Sequence, residues 1–263
     1  MQNQDNFTLQ TKNLSIGYFN KKGNHTVAKD LNFSLNKGEL VGLVGSNGIG
    51  KSTLLRSLCK VQKILSGDIF VNNKNLKSFT FESLAETLSV VLTETPASKN
   101  ITVGELVALG RQPYTNWLGT LTEDDKQHIL QALEATEMSS FKNRKCYELS
   151  DGQLQRALIA RALAQDTPII ILDEPTTHLD LYHRASILKL LKNLSKTTDK
   201  TILFSTHEID LAIQLCDQML IMTPEESYFG DPCQLIESGH FSKLFPKNLI
   251  DFDGDVGRFK IIN

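Results

Sequence analysis

The hydrophobic pattern divides the chain into strand-like and helix-like stretches. Residues 7–44 alternate apolar and polar positions in the short runs FTLQTKNLSIGY, VAKDLNFSL and ELVGLVG, separated by Asn, Lys and Gly. This alternation is typical of strands. From about Asn100 to Ala164 the apolar spacing becomes helical, and acidic residues open the stretch TEDDKQHILQALEAT, as they do in a first helical turn. We expect a strand-rich beginning followed by a helical unit.

Two later apolar runs predict buried parallel strands. They are IIIL at 169–172 and TILF at 201–204, and the helical stretch HRASILKLLKNL lies between them. A strand, a crossover helix and a second strand give this order. The tail from about 217 to 263 contains MLIM, YFGDP and the weakly amphipathic LIESGHFSKLF, which indicates a small appendage of strand and helix.

Composition and charge narrow the class of protein. The 263 residues are 40% hydrophobic, with 28 basic and 30 acidic side chains, which suits one large or two small globular domains and gives no general attraction to nucleic acid. No apolar run approaches the roughly 20 residues of a membrane span, and the polar start MQNQDNFTLQ does not match a secretion signal. A cytoplasmic location is expected.

One segment has the pattern of a phosphate-binding loop. It follows the apolar run LVGLV, opens the helical stretch TLLRSLCK and fits GxxxxGK[ST]: Gly45, Ser46, Asn47, Gly48, Ile49, Gly50, Lys51, Ser52 and Thr53. Glycines let backbone N–H groups turn toward phosphates, and a helix N-terminus adds positive potential. Lys51 would contact the β- and γ-phosphates, and the Ser52 hydroxyl would bind Mg²⁺. A ligand-free glycine turn is the simpler alternative, and the complete register disfavours it.

A pair of carboxylates follows the first buried strand. Asp173 and Glu174 come directly after IIIL, and a parallel strand delivers its last residues to the edge of the sheet where such folds bind ligands. Asp173 is predicted to hold Mg²⁺. Glu174 is predicted to orient a water for in-line attack on a γ-phosphate.

A small polar cluster, residues 150–153 (SDGQ), precedes the helical stretch LQRALIARALA. A helix start leaves backbone N–H groups unsatisfied and carries positive potential. Such a start either caps itself through Ser or Asp, or holds an anion. From the residues alone both alternatives stay open.

Taken in order, these motifs resemble the ATP-binding cassette of ABC transporters. Besides the phosphate loop, the resemblance rests on LSDGQ at 149–153, ILDEP at 171–175, HLD at 178–180 and STH at 205–207. It runs from about Tyr18 to about Met222. The resemblance implies an α/β P-loop NTPase core with an antiparallel β subdomain and an inserted α-helical subdomain. It also implies ATP and Mg²⁺ as ligands, and ATP hydrolysis.

Within this resemblance, residues 1–263 form a single ATPase domain. Residues of about 7–93 and 164–222 make the nucleotide-binding core, and about 94–163 make the helical subdomain. About 223–263 make the C-terminal appendage.

The resemblance further implies that two copies meet head to tail. Ser150, Gly152 and Gln153 of one copy would then contact the γ-phosphate of the ATP held by the other. Tyr18 resembles the aromatic residue that stacks on adenine. Its alternative is a core tyrosine.

Two other residues gain roles only through this resemblance. Asp180 resembles the acid that spans the two nucleotide sites. His207 resembles the switch histidine that contacts the γ-phosphate, and it joins Glu174 and Lys51 as a candidate catalytic residue.

Two positions depart from the family pattern. Glu94 in VVLTETP aligns with the usual Gln; its carboxylate could still bind Mg²⁺ directly or through water, while its charge near phosphates would slow hydrolysis or tie it more tightly to a partner. Asp151 replaces the usual Gly, but Ser150 and Gly152 are intact. Activity is therefore expected to survive.

The stretch LGRQPY at 109–114 resembles a segment of ATPases that drive bacterial importers of iron-siderophore complexes, haem and cobalamin. Its alternative is a helix that ends at Gly110 and is broken by Pro113. The expected partners are a second copy and membrane permease subunits docked near Glu94 and residues 100–120. A periplasmic or surface binding protein acts indirectly, and no nucleic acid is involved. An exporter ATPase and a nucleotide-sensing module without transport remain as alternatives.

Overall fold

Two stacked β-sheets form the body of the protein in a computed structural model that describes residues 7–21, 23–92, 99–246, 250–254 and 256–262. The strands, in chain order, are β1 (Leu9–Tyr18), β2 (His25–Leu35), β3 (Leu40–Gly45), β4 (Ser66–Val71), β5 (Lys74–Asn75), β6 (Leu88–Val91), β7 (Ile169–Leu172), β8 (Thr201–Ser205), β9 (Gln218–Met222), β10 (Ser227–Gly230), β11 (Ile250–Asp253) and β12 (Arg258–Ile261). The α-helices are α1 (Lys51–Leu58), α2 (Phe81–Ala85), α3 (Val103–Ala108), α4 (Glu123–Ala135), α5 (Asp151–Ala164), α6 (Leu181–Thr197), α7 (Ile209–Leu215) and α8 (Pro232–Glu237).

The larger sheet is mostly parallel. Over the described residues its order is β10-β9-β3-β8-β7-β6, and β10 at the edge runs antiparallel to β9. The runs IIIL and TILF form the neighbouring parallel strands β7 and β8, and the stretch between them forms α6 as predicted. A four-stranded antiparallel sheet of order β2-β1-β4-β5 packs against one face of the larger sheet.

Each face of the parallel sheet lies against its own hydrophobic core. Along β3, Leu40 and Val44 face a core that includes the helices α3 to α7. Val41 and Leu43 face a second core, shared with α1 and the antiparallel sheet. The period of two that alternates side chains across a strand therefore explains why β3 is apolar at every position.

An inserted helical unit packs beside the first core. Helices α3, α4 and α5 contact one another and contribute many buried residues. Thr102 and Thr122 cap α3 and α4 through reciprocal bonds with Glu105 and Asp125, the residues three positions later, so these helices begin where the sequence supplies a capping box.

The predicted fold class is confirmed, because the α/β core, the antiparallel sheet and the inserted helices are all present. The expected subdomain boundary near residue 94 lies outside the described residues. Beyond it, β10 pairs with β9, so the first strand of the predicted appendage joins the main sheet. Among the residues that the structure describes, no helix combines the length and apolar character needed to cross a membrane.

Candidate functional site

The predicted phosphate loop lies at the centre of the parallel sheet. It follows β3, which pairs with β8 on one side and β9 on the other. Gly48 (φ +75°) and Gly50 (φ +112°) adopt left-handed backbone conformations, which glycine adopts at least cost. A Cβ on Gly50 would also lie 2.3 Å from Cγ1 of Val27. Gly50 precedes α1 without a side-chain cap, so the first N–H groups of α1 open toward the loop.

Lys51 is folded into this loop. Its Nζ donates hydrogen bonds to the carbonyl oxygens of Gly45 (3.0 Å) and Ser46 (3.3 Å), and the residue is buried. Burial lowers the pKa of Lys51, while the carboxylates of Glu174 and Asp173 act in the opposite direction. The ammonium group therefore lies between carbonyl oxygens and acidic side chains at the sheet edge.

Serine hydroxyls connect the two predicted acids, Asp173 and Glu174, to each other and to the phosphate loop. Ser52 Oγ donates to Asp173 Oδ1 at 3.2 Å, and Ser205 Oγ donates to the same oxygen at 2.7 Å. The backbone N–H of Glu174 donates to Ser205 Oγ at 2.9 Å. Ser205 therefore joins both acids, a role that the sequence motifs did not assign. A polar residue at the end of a buried apolar strand is the signal that could have found it.

Glu174 is held at both carboxylate oxygens. His207 Nε2 lies 2.8 Å from Oε1, and Thr177 Oγ1 donates to Oε2 at 3.2 Å. Glu174 itself has a left-handed backbone, with φ +47°, which is uncommon for a residue other than glycine and clusters at functional sites. The structure thus brings the predicted base and the predicted switch histidine into contact.

The Tyr18 ring lies beside the loop and is stacked on the ring of His25, with 6.5 Å between the ring centroids. The residue is 45% exposed, which does not fit a core tyrosine. Its hydroxyl lies 3.1 Å from Thr53 Oγ1 in the first turn of α1. Together with Arg56, Gln62 and Asp173 it lines a cavity of about 590 Å³.

The helix start at Ser150 caps itself in this structure. Ser150 Oγ accepts the N–H of Gln153 at 3.3 Å, and the N–H of Ser150 donates to Gln153 Oε1 at 3.1 Å. This is a complete capping box. Asp151 is exposed, whereas Gly152 is buried. The ordinary capping role is therefore present in the single chain.

The signature residues 150–153 lie apart from the phosphate loop. No hydrogen bond between described residues joins the two. Gly152 instead packs against the ring of His183 in α6, and Asp180 caps α6 by accepting the N–H of His183 at 2.9 Å. Glu94 lies outside the described residues.

Ser52 and Asp173 fit a divalent cation. A hydroxyl and a carboxylate supply the oxygen ligands that Mg²⁺ prefers, and Mg²⁺ usually completes its shell with phosphates and water. Among the described residues, no group of three or more His, Cys, Asp or Glu is arranged for a metal. The Ser52–Asp173 pair is the candidate metal position because its two oxygens lie 3.2 Å apart beside the phosphate loop.

The LGRQPY segment has a packing role that the sequence did not reveal. Arg111 Nε donates to Asp125 Oδ1 at 2.8 Å, and its Nη1 donates to the carbonyl of Ala164 at 2.9 Å. Arg111 and Asp125 are both buried, and the guanidinium stacks on Tyr114 at 4.0 Å. A Cβ on Gly110 would lie 2.2 Å from the carbonyl oxygen of Arg161. The segment therefore fixes the end of α5.

Comparison with known proteins adds independent findings. The profile of the family described as ABC transporter matches residues 28–177. The petrobactin import ATP-binding protein FpuD of Bacillus anthracis is 39% identical over 87% of this chain and 83% of its own length. A solved transporter assigned to the metal-chelate type, in an inward-facing conformation, superposes with a TM-score of 0.79 at 28% identity, covering 97% of this chain and 96% of that one. A dimeric ATP-binding cassette in a post-hydrolysis state with ADP and Pi gives 0.70 at 27% identity, over 84% and 97%.

Proposed function

The chain belongs to the ABC transporter family, whose ATP-binding subunits hydrolyse ATP to power transport, and from this premise we propose its cargo class and the roles of its residues. The proposed cargo is an iron-siderophore complex, haem or cobalamin, taken up by a bacterial importer. The observation that carries the site assignment is the hydrogen-bonded series Ser52, Asp173, Ser205, Glu174 and His207 beside the phosphate loop.

In the proposed mechanism the loop at 45–53 wraps the phosphates of ATP, and its N–H groups and the start of α1 neutralise their charge. Lys51 Nζ exchanges the carbonyls of Gly45 and Ser46 for phosphate oxygens, because an anion is the stronger acceptor. The Tyr18 ring stacks on adenine. Ser52 and Asp173 would hold Mg²⁺, which would neutralise negative charge on the phosphates.

Glu174 is the proposed general base. Its carboxylate accepts a proton from the attacking water, while Thr177 orients the carboxylate and Ser205 holds the backbone N–H of Glu174. His207 lies on Glu174 in the structure. In the proposed cycle His207 contacts the γ-phosphate. Release of the phosphate would then change the contact between His207 and the proposed base, Glu174.

A second copy completes each site in this proposal. Ser150, Gly152 and Gln153 of one copy contact the γ-phosphate held by the other, and Asp180 lies between the two sites. In the single chain the capping box engages the N–H groups of Ser150 and Gln153, so these donors would exchange their side-chain acceptors for oxygens of the γ-phosphate, which is the stronger acceptor. The dimeric ADP and Pi cassette supports the pairing of copies.

The partner and location follow from the same proposal. Permease subunits dock near Glu94 and residues 100–120, and the ATPase lies on the inner face of the membrane through them. A binding protein delivers cargo from the other side. The proposed division of the chain is a core of about 7–93 and 164–222, a helical subdomain of about 94–163 and an appendage of about 223–263.

Replacing the proposed base tests the mechanism. Glu174→Gln should retain ATP binding and lose turnover, because the amide cannot accept the proton. Light scattering should then detect a dimer only with Mg-ATP, and Ser150→Arg in the same background should abolish it. Glu134→Gln, on the outer part of α4, is the matched control. Near-normal turnover of Glu174→Gln would contradict the assignment.

Uptake measurements test the cargo class. Cells that lack the gene, and cells complemented with the active or the Glu174→Gln chain, are supplied separately with labelled ferric siderophore, haem and cobalamin. The proposal requires that one of these three accumulates only with the active chain. Normal uptake of all three without the gene would contradict it.

A further inference from the structure

His183 connects two motifs of the proposed dimer interface. Asp180 Oδ1 accepts the backbone N–H of His183 at 2.9 Å and lies 2.8 Å from its ring Nδ1. These bonds, led by the backbone N–H, lower the pKa of Asp180. An ionised carboxylate can only accept hydrogen bonds, so Nδ1 must carry the proton. One edge of the His183 ring is therefore fixed by the residue that caps α6.

The other edge of the same ring meets the start of α5. A Cβ built on Gly152 would lie 2.8 Å from His183 Cδ2 and 3.4 Å from Cγ. Carbon atoms prefer separations of about 3.5 to 4.0 Å, so a methyl group at this position would force the half-exposed His183 ring to shift. The ring cannot swing away without losing its bond to Asp180.

A second link ties α5 to α6 one turn further along. Arg156 Nη2 donates to Ser186 Oγ at 2.8 Å, and its Nη1 donates to Glu137 Oε2 at 2.8 Å. Since this link lies beyond the first turn, it fixes the bodies of the helices. The contact between Gly152 and the His183 ring lies closer to the first residues of the two helices.

We propose that His183 is a positioning residue that holds the signature at Ser150–Gln153 against Asp180, so that both motifs meet the second copy as one rigid unit. The inference rests on the proposed head-to-tail pairing. It also assigns a reason within one chain for glycine at 152, in addition to any demand made by the partner's nucleotide.

The first test measures ATP-driven pairing in the Glu174→Gln background. His183→Ala should raise the protein concentration at half-dimerisation by about ten- to a hundredfold, because a three- to tenfold cost for one lost hydrogen bond and its contact applies in each of the two copies. ATP affinity of the monomer should not change. His183→Asn should restore pairing, because its amide can donate near Nδ1 and retain an atom near Cδ2. His128→Ala, another carboxylate-paired histidine, is the matched control.

The second test is a double-mutant cycle. Gly152→Ala should impair pairing strongly, because its methyl group collides with the fixed ring. In the His183→Ala background, Gly152→Ala should cost less pairing than it costs in the parent, and the loss that remains is the part due to the partner's nucleotide. Unfolding of the nucleotide-free monomers should reveal the same coupling, since the contact lies within one chain.

The outcomes separate the two proposals. A parent that dimerises with ATP, together with unchanged pairing in His183→Ala or an equal cost of Gly152→Ala with and without His183, would overturn the role of His183 alone. A merely structural role would lower the unfolding temperature without shifting pairing, and would also overturn it. A parent that binds ATP and never dimerises would contradict the proposed pairing itself, even if the unfolding cycle shows coupling.

Discussion

The hydroxyl of Ser205 is the smallest feature on which the site depends. It donates to Asp173 Oδ1 and accepts the N–H of Glu174, so one buried oxygen sets the relative position of the proposed metal ligand and the proposed base. Hydrogen bonds to charged groups contribute about 1.5 to 3 kcal/mol. Removing the single oxygen atom of the Ser205 side chain should therefore displace both Asp173 and Glu174.

Ser205→Ala should lower kcat at least about tenfold, because about 1.4 kcal/mol of lost positioning has that effect on a rate. ATP binding should change little, since Lys51 and the loop are untouched. Steady-state ATPase assays and equilibrium ATP binding measure the two quantities. Ser195→Ala is the control, because that hydroxyl is also buried but bonds within α6. Loss of ATP binding equal to the loss of kcat would contradict the argument.

At the scale of elements, the buried Arg111–Asp125 pair holds the helical unit together. It joins the start of α4 to the end of α5, the helix that begins with the signature. Breaking a buried pair by removing one partner leaves an uncompensated charge, which costs about 3 to 5 kcal/mol. The LGRQPY segment at 109–114, which resembles a segment of importer ATPases, therefore stabilises the packing of α4 against α5.

Arg111→Met should lower the free energy of unfolding by about 3 to 5 kcal/mol, and Arg111→Met with Asp125→Leu should lose less than the sum of the single changes. Urea denaturation gives these values. Glu123→Gln on the same helix removes an exposed pair with Lys126 and should cost less than about 1 kcal/mol. Additive losses in the double variant would contradict the pairing argument.

The same pair predicts a pH dependence. The hydroxyl of Thr122, ahead of Arg111, lowers the pKa of Asp125 from 3.8 to about 2. Because the folded pKa is depressed, the stabilisation is complete above the unfolded pKa and is lost as pH falls through the folded value. Unfolding followed from pH 5 to about pH 2 should therefore depend less on pH in Asp125→Asn than in the parent. An identical slope in both proteins would contradict this.

A structural feature can be predicted from the sequence when the residues that determine it are close together along the chain. The run IIIL predicted β7 with the observed bounds Ile169–Leu172, because apolar runs and turn residues act over a few positions. The contacts of Ser205 and Arg111 could not be read in this way. They depend on β7 lying beside β8 and on α4 packing against α5, which are contacts between residues distant in sequence.

At the scale of the whole molecule, the parallel sheet places the proposed nucleotide site where both cores meet. The loop follows β3 and the acids follow β7, with β8 between these strands. A ligand bound there contacts elements of both cores, so its binding energy stabilises the whole fold rather than one subdomain. Stabilisation by Mg-ATP should therefore be visible in global unfolding.

Mg-ATP at about 100 times its dissociation constant should stabilise the Glu174→Gln chain by about 2.7 kcal/mol if one chain binds alone. If two chains share the nucleotides, the unfolding temperature should also rise with protein concentration, because unfolding then separates two subunits. Calorimetry over a hundredfold range of protein concentration distinguishes the cases. In Lys51→Ala both effects should disappear, since the ammonium group that contacts the phosphates is gone. An unfolding temperature that rises with ATP but not with protein concentration would show that ATP binds single chains, and would contradict the sharing of nucleotides between copies.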